Sequence, residues 1–269
     1  MHGLGNDFVI IDTREQRLEL SRLHACAIAN RHTGIGCDQV ILIEKPQDDE
    51  ANAFMRIYNT DGSEAEACGN ATRCVASILM GESGEDQTII ETLAGLLDAH
   101  IAEGDLVSVD MGLAKMDWRD IPLSEAIDTL HLGIGSGPLQ DPVGVNMGNP
   151  HAVFFVDDAD AVDLIQHGSD LERHKLFPQY ANIGVATIKG KGDIRLRVWE
   201  RGVGETLACG SGACAAMVAA SRRSLCGHSA SVHLNGGTLH IEWMADNHVM
   251  MTGPVATSFS GLVDPALLA

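Results

Sequence analysis

The sequence predicts an α/β (α+β) protein built from two pseudo-symmetric, strand-rich halves, and three observations carry that prediction. First, the 269-residue chain repeats itself once: MRIYNTDGSEAEACGN (Met55–Asn70) aligns without a gap on LRVWERGVGETLACGS (Leu196–Ser211), 141 residues later. Arg56/Arg197, Glu64/Glu205, Ala67/Ala208, Cys68/Cys209 and Gly69/Gly210 are identical across that offset. Second, short apolar runs bounded by turn residues recur along the chain, which is the pattern of strands. Third, both copies of the repeat run straight into small-residue helical stretches, GNATRCVASILM and GSGACAAMVAASRR.

Further matches keep the same order. GND at Gly5–Asp7 faces GNPH at Gly148–His151, 143 residues on; Gly95 faces Gly237 at 142, and Gly112 faces Gly253 at 141. A weaker pairing of TGIG with NIG, Gly36 with Gly184, needs an offset of 148. Ordered matches at nearly one offset mean a duplicated domain, and a missed duplication would misassign the whole fold. The N-terminal half is therefore expected over residues 1–112 and its copy over 113–255, with the unmatched tail 256–269 joining the first half.

Taken in order, the strands are DFVIID, QVILIE, FMRIYN, HAVFFV, DIRLRVW, TLHIEW and NHVMMTG. A helix is expected over Leu20–Arg31. The helix GNATRCVASILM puts Cys74, Val75, Ile78 and Leu79 on one apolar face, with Gly81 as its C-terminal stop. Asn70 and Ser211 are good N-cap types one residue past the repeated Cys-Gly.

Composition removes several function classes. Lys plus Arg is 18 against 37 Asp plus Glu, a formal charge of −19 that repels phosphate backbones, so no nucleic-acid partner is expected. No run approaches the roughly 18 apolar residues of a membrane span. No basic segment leads into an apolar one, which points to a cytoplasmic protein. The 7 cysteines are dispersed, with neither a C-x₂-C pair nor an H-E-x-x-H among the 12 histidines, so no metal is expected. Pyridoxal chemistry needs a lysine, and Lys45, Lys115, Lys175, Lys189 and Lys191 all lie outside the repeated motifs.

What remains is the thiol pair. Cys68 and Cys209 sit at loop-to-helix junctions, where backbone N–H groups and the helix dipole favour negative charge and lower a thiol pKa. A two-fold duplication would bring these helix starts together across one cleft. One thiolate then removes a proton from carbon and the opposite thiol returns one to the other face. The amides of Gly69, Asn70, Gly210 and Ser211 suit the carboxylate and the charge that develops on it. Cys26, Cys37, Cys74, Cys214 and Cys226 read as packing. A dithiol redox protein or a scaffold is the alternative class, with no use for the Asn-containing motifs.

With these residues in place, the chain resembles the diaminopimelate epimerases. The motifs that carry the likeness are MHGLGNDFVIID, NRHTGIGCDQVI, NTDGSEAEACGNATRC, MGNPHAVFFV, ANIGVA and ERGVGETLACGSGACAA, in the family's order along almost the whole chain. The resemblance implies two similar halves, each a sheet wrapped around a central helix, with the active site in the cleft between them, commonly in a homodimer. It implies interconversion of LL- and meso-diaminopimelate in lysine and peptidoglycan-precursor synthesis, without pyridoxal phosphate or metal, through Cys68 and Cys209. Asn6, Gln39 and Asn149 would surround the reacting end, with Gly69, Asn70, Gly210 and Ser211 on its carboxylate. Asn59, Asn182, Glu200 and Arg201 would hold the distal end, Arg201 suiting a carboxylate and Glu200 an ammonium. His151 and Glu200 match positions that tune the thiols.

The nearest alternative is a proline or hydroxyproline racemase. Those relatives carry CGHG and CGTG where this chain has CGNA and CGSG, and a small cyclic amino acid has no use for the distal Asn–Glu–Arg set. Departures from the epimerase pattern are Ala71 and Thr72, where Gly and Ala are common, Cys37 in place of a bulky apolar residue, and a short lead into GND. A looser packing beside Gln39 is the expectation for Cys37.

Overall fold

The duplication recurs strand by strand in the computed structural model, which describes residues 1–15, 18 and 20–268. One unit holds Met1–Val109 and Thr252–Ala269, the other Asp110–Met251; Ala269 itself lies outside the described residues.

The first unit runs β1 (His2–Gly3), β2 (Asn6–Asp12), α1 (Arg22–Ala29), β3 (Gln39–Glu44), β4 (Ala53–Asn59), β5 (Glu64–Ala65), α2 (Gly69–Ser83), β6 (Gln87–Thr92), β7 (Gly95–Ala102) and the first half of β8 (Leu106–Leu113), up to Val109. Its strands lie in the order β1-β2-β3-β4-β6-β7-β8, with β5 on β4. The β2–β3 and β4–β6 pairs are parallel. A parallel pair needs a crossover connection, and here α1 and α2 supply one each. Because α2 touches β1 and β2 as well as β6 and β7, the sheet curls around it.

The second unit opens with a small hairpin, β9 (Gly135–Ser136) and β10 (Leu139–Gln140). It continues with β11 (Val143–Asn146), β12 (Pro150–Phe155), α3 (Leu164–Glu172), β13 (Asn182–Gly190), β14 (Asp193–Glu200), β15 (Gly204–Glu205), α4 (Gly210–Arg222), β16 (Ser229–Leu234), β17 (Gly237–Trp243) and β18 (His248–Gly253). The order is β11-β12-β13-β14-β16-β17-β18, with β15 on β14. Parallel β12–β13 is crossed by α3 and parallel β14–β16 by α4. Helix α4 touches β11 and β12 at one end and β16 and β17 at the other.

Register makes the equivalence residue-specific. Phe8 pairs with Gln39 as His151 pairs with Asn182, each member displaced by 143. Tyr58 pairs with Glu64 as Trp199 pairs with Glu205, displaced by 141. This corrects one expectation: Gly184 pairs with Val153 inside β13 and corresponds to Ile41 opposite Ile10, not to Gly36. Gly36 sits before β3 at φ +84, so close to the Arg31 backbone that a side chain would collide with it.

The identical Arg and Glu of the repeat also find a reason. Arg56 Nη1 pairs with Glu64 Oε2 at 3.0 Å, and Arg197 Nε with Glu205 Oε1 at 2.8 Å. Each pair ties the short strand β5 or β15 to its long neighbour just before the Cys-Gly turn.

Helix ends depart from the expected ones. Helix α2 runs past Gly81 to Ser83 and stops at Gly84, which takes the left-handed conformation at φ 75. Gly81 faces open space, so nothing there breaks the helix. The N-caps are Cys68 and Cys209 themselves rather than Asn70 and Ser211, and neither makes a side-chain cap bond. The expected helix from Leu20 shortens to α1, capped by a Ser21–His24 capping box.

Burial decides most thiols. Cys74 and Cys214 are fully buried, whereas Cys26 and Cys226 are half-buried. Cys37 is 1% exposed in a core with Ala25, Ile28, Val40, Leu42 and Tyr58, so it fills its place rather than loosening it. Burial pushes the Cys37 thiol up to about 11 and that of Cys74 to about 12. Raised thiols stay protonated in the folded chain while unfolded thiols ionise near 8.5. Their contribution to stability is therefore complete below that value and is lost as pH rises toward the folded values. Each thiol costs about 1.4 kcal/mol per pH unit over that window. The thermal midpoint is expected to fall from about pH 8 to about pH 10, with a shallower slope for Cys37→Ser. An equal slope in that variant would overturn the assignment.

Candidate active site

In the first unit, the start of α2 sets Cys68 against Asn6 at the start of β2. The Thr72 amide and hydroxyl both donate to the Cys68 carbonyl at 2.9 Å, fixing the first turn. The Cys68 Sγ lies 3.9 Å from Asn6 Oδ1, which also accepts from Asn70 Nδ2 at 3.1 Å. Gln39 and Asn59 are cross-strand partners on β3 and β4, and Gln39 Nε2 donates to Asn59 Oδ1 at 3.0 Å. Asn59 Nδ2 in turn donates to Ser63 Oγ at 3.1 Å. Gln39 Oε1 is buried with no hydrogen-bond partner among the described residues. Such an atom is costly to leave unsatisfied, so a donor bound beside it would be favoured.

The second unit builds the corresponding set around Cys209, which is 4% exposed. Ala213 N donates to the Cys209 carbonyl at 3.0 Å, and Ser211 Oγ lies 3.7 Å from Cys209 Sγ. A Cβ on Gly212 would sit 3.0 Å from Val198 Cγ2 and 3.2 Å from the sulfur, so glycine lets the thiol pack on the helix start. In the first unit, the corresponding Ala71 is fully buried.

His151 links this half together. Its Nε2 lies 2.8 Å from Asn149 Oδ1, 3.2 Å from Ser211 Oγ and 3.5 Å from Asn182 Nδ2. With the proton on Nε2, the ring donates to Asn149 and Ser211, leaving the Ser211 hydroxyl to donate toward Cys209. Burial, with the Arg201 charge behind it, takes His151 down to about 3, so the ring is neutral and puts no positive charge beside Ser211 and the thiol. Asn182 Oδ1 accepts from Arg201 N at 2.8 Å, and Arg201 Nη1 donates to Gln179 O at 2.9 Å.

Glu200 Oε1 accepts from Thr206 Oγ1 at 2.5 Å. Burial first, and then the Glu200 charge, raise the Cys209 thiol well above its ordinary value, against the bond from Ser211. The helix-start argument predicted a lowered thiol; at Cys209 desolvation outweighs it. The copies are also unequal in charge. At the offset of 141, neutral Asn59 corresponds to Glu200 and cationic Arg73 to Cys214.

In the first unit Asn6, Cys68 and Asn70 are in contact, while Gln39 and Asn59 form a separate pair with Ser63. In the second, Asn149, His151, Asn182, Arg201 and Ser211 form one hydrogen-bonded chain that reaches Cys209, with Glu200 charged beside the thiol. The sequence reading missed Asp38, which accepts from Asn6 Nδ2 at 3.0 Å, and Thr206, which holds Glu200. Both stand next to residues that were read, Asp38 beside Gln39 and Thr206 beside the repeated Glu205. Among the described residues, no group of three or more His, Cys, Asp and Glu side chains is arranged to hold a metal ion. No described helix is long and apolar enough to cross a membrane.

Comparison with known proteins supplies the family. A sequence model described as diaminopimelate epimerase matches residues 1–116 and 143–258. The diaminopimelate epimerase of Rhodospirillum centenum is 57% identical over 268 residues, covering 100% of this chain and 92% of that protein. That of Acidiphilium cryptum is 56% identical over 269 residues, covering 100% and 96%. Among solved structures, a hydroxyproline epimerase from Agrobacterium vitis with bound trans-4-hydroxy-L-proline superposes with a TM-score of 0.63 at 15% identity, over 94% of this chain and 87% of that one. A PhzF-family phenazine biosynthesis protein from Bacillus anthracis gives 0.65 at 16% identity, over 94% and 91%. Such low identities speak for the fold alone; the full-length relatives at more than half identity carry the activity. The chain belongs to the diaminopimelate epimerase family, whose members interconvert LL- and meso-diaminopimelate in lysine biosynthesis.

Proposed function

We propose that Cys68 and Cys209 are the two acid–base groups of that epimerisation, working without pyridoxal phosphate or metal. The single observation behind this reading is that each cysteine is the N-cap of the duplicated helix. The first N–H groups of a helix have no intrahelical acceptor. An α-carboxylate set against the amides of Gly69, Asn70, Gly210 and Ser211 would be held by those donors and by the dipoles behind them.

One sulfur, as thiolate, takes the α-proton. The electron pair left on carbon delocalises into the carboxylate, where the same amides stabilise the growing charge. The other thiol gives its proton to the opposite face and becomes the thiolate, so configuration inverts and the total charge of the pair is unchanged. Gln39 Oε1 offers an acceptor to the α-ammonium, with Asn6 and Asn149 beside the reacting carbon. Asn59, Asn182, Glu200 and Arg201 hold the distal amino-acid end, with the Arg201 fork on its carboxylate and Glu200 on its ammonium. His151 and Glu200 tune Cys209. The protein is proposed to act in the cytoplasm as a homodimer.

The test is incubation of chelator-treated, pyridoxal-free protein with LL-diaminopimelate in deuterated water, with proline in a parallel tube. The expected result is meso product carrying one deuterium at the inverted α-carbon and no exchange into proline. Dependence on added pyridoxal phosphate or metal would overturn the cofactor-free reading, and exchange into proline the substrate assignment.

A further inference from the structure

Asn6 is held by an ionic cluster that the reaction as described does not use. Arg31 spans two carboxylates: its Nη1 and Nη2 donate to Asp7 Oδ2 and Oδ1 at 2.9 and 2.7 Å, and Nη2 also donates to Asp38 Oδ1 at 2.7 Å. The carboxylates lock each other through the backbone. Asp38 N donates to Asp7 Oδ1 at 2.9 Å, and Asp7 N donates to Asp38 Oδ2 at 3.1 Å. That same Asp38 Oδ2 accepts from Asn6 Nδ2 at 3.0 Å.

An ionised carboxylate only accepts, so the Asn6 amide must turn its nitrogen to Asp38. Its oxygen is thereby turned to Asn70 Nδ2 and Cys68 Sγ. The second copy lacks this arrangement. At the strand offset of 143, Asp7 becomes Pro150 and Asp38 becomes Ala181. There Asn149 is held by its oxygen, against His151 Nε2 at 2.8 Å. Asn6 is thus anchored to a carboxylate through its amide nitrogen, whereas Asn149 meets an imidazole through its amide oxygen.

Stability is a poor reason for the cluster. The Arg31 side chain is 54% exposed, and exposed ion pairs contribute about 0–1 kcal/mol.

We propose that the Arg31–Asp7–Asp38 cluster is a positioning device for the reaction, in which Asp38 orients the Asn6 amide so that its oxygen faces Cys68 and Asn70. The inference rests on the reading of Asn6 and Cys68 as site residues. Asp38 is a positioning residue and touches no reacting atom.

A double-mutant cycle on the full chain tests it, with Asp38→Asn, Asn6→Ala and the double variant assayed for kcat and KM with LL-diaminopimelate and for thermal midpoint. Asp38→Asn leaves a side chain that also donates, so Asn6 is no longer forced into one orientation. Its kcat is expected to fall about 10- to 100-fold, the scale of a small misplacement at a reacting centre. KM and thermal midpoint stay near those of the parent. In the Asn6→Ala background, Asp38→Asn is expected to change kcat by less than about twofold. An unchanged kcat in Asp38→Asn overturns the proposal, as does a full multiplicative loss in the double variant. A normal kcat in Asn6→Ala alone overturns the reading of Asn6 itself, a result distinct from either. Arg31→Lys, which keeps the charge but not the fork, gives a second route to the same cycle if Asp38→Asn does not fold.

Discussion

Replacing either Cys68 or Cys209 with serine is expected to cut epimerisation of LL-diaminopimelate on the order of 10³-fold, the scale of losing a general acid–base group. A serine hydroxyl ionises far above any working pH, so it neither takes the α-proton nor passes one on at a useful rate. The fold is not the casualty, because serine is a better N-cap than cysteine. It brings a second loss instead: a capping hydroxyl introduced at either position would accept from the amides that the substrate carboxylate needs. For this reason alanine variants belong beside the serine ones, since alanine removes the thiol without adding a cap. Each single variant keeps one base, so it is expected to exchange the α-proton of one stereoisomer with deuterated water and invert neither. The two variants should differ in which stereoisomer they exchange. Turnover above about a tenth of the parent in either alanine variant would sink the two-base assignment.

Much of this was legible in the sequence because duplication writes the same physics twice. Arg56 and Glu64 alone look like surface charges; their recurrence as Arg197 and Glu205 marks the ion pairs that secure β5 and β15. The sequence did not show α3, the second unit's counterpart of α1, because Gly168 interrupts its pattern. That glycine lies against Trp199, where a Cβ would come within 2.7 Å of the ring. A tertiary contact, invisible to local propensity, requires it. The Gly36–Gly184 pairing failed for a related reason, since two glycines with different tasks look alike in a string of letters. One makes a turn over Arg31, and the other lies mid-strand between Val153 and Leu196. Asp38 and Thr206 were missed because their role is to orient Asn6 and Glu200, and only coordinates reveal such partners. Desolvation is equally unreadable: the helix start is visible at Cys209, but the burial that reverses its effect is not.

The same balance at Cys209 makes Glu200→Gln the second informative change, because two consequences separate. Burial and the Glu200 charge both favour the thiol over the thiolate. The base form of Cys209 therefore appears only as pH climbs, and removing the carboxylate charge leaves more thiolate at any given pH. The alkylation of Cys209 by iodoacetamide, followed against pH, is expected to move its midpoint to lower pH in Glu200→Gln. Glutamine keeps an oxygen for the Thr206 hydroxyl, so the local bond survives while the charge goes. Substrate binding should suffer in the opposite sense. A hydrogen bond to a charged group contributes about 1.5–3 kcal/mol, so losing the carboxylate partner of the distal ammonium raises KM by about 10- to 100-fold. An unmoved alkylation midpoint would remove Glu200 from the tuning of Cys209, and an unchanged KM would remove it from the distal site. Its counterpart Asn59 tests whether the charge difference between the copies is functional. Asn59→Asp places a carboxylate at the equivalent position of the first unit, and if the two sites work alike the alkylation midpoint of Cys68 is expected to move to higher pH.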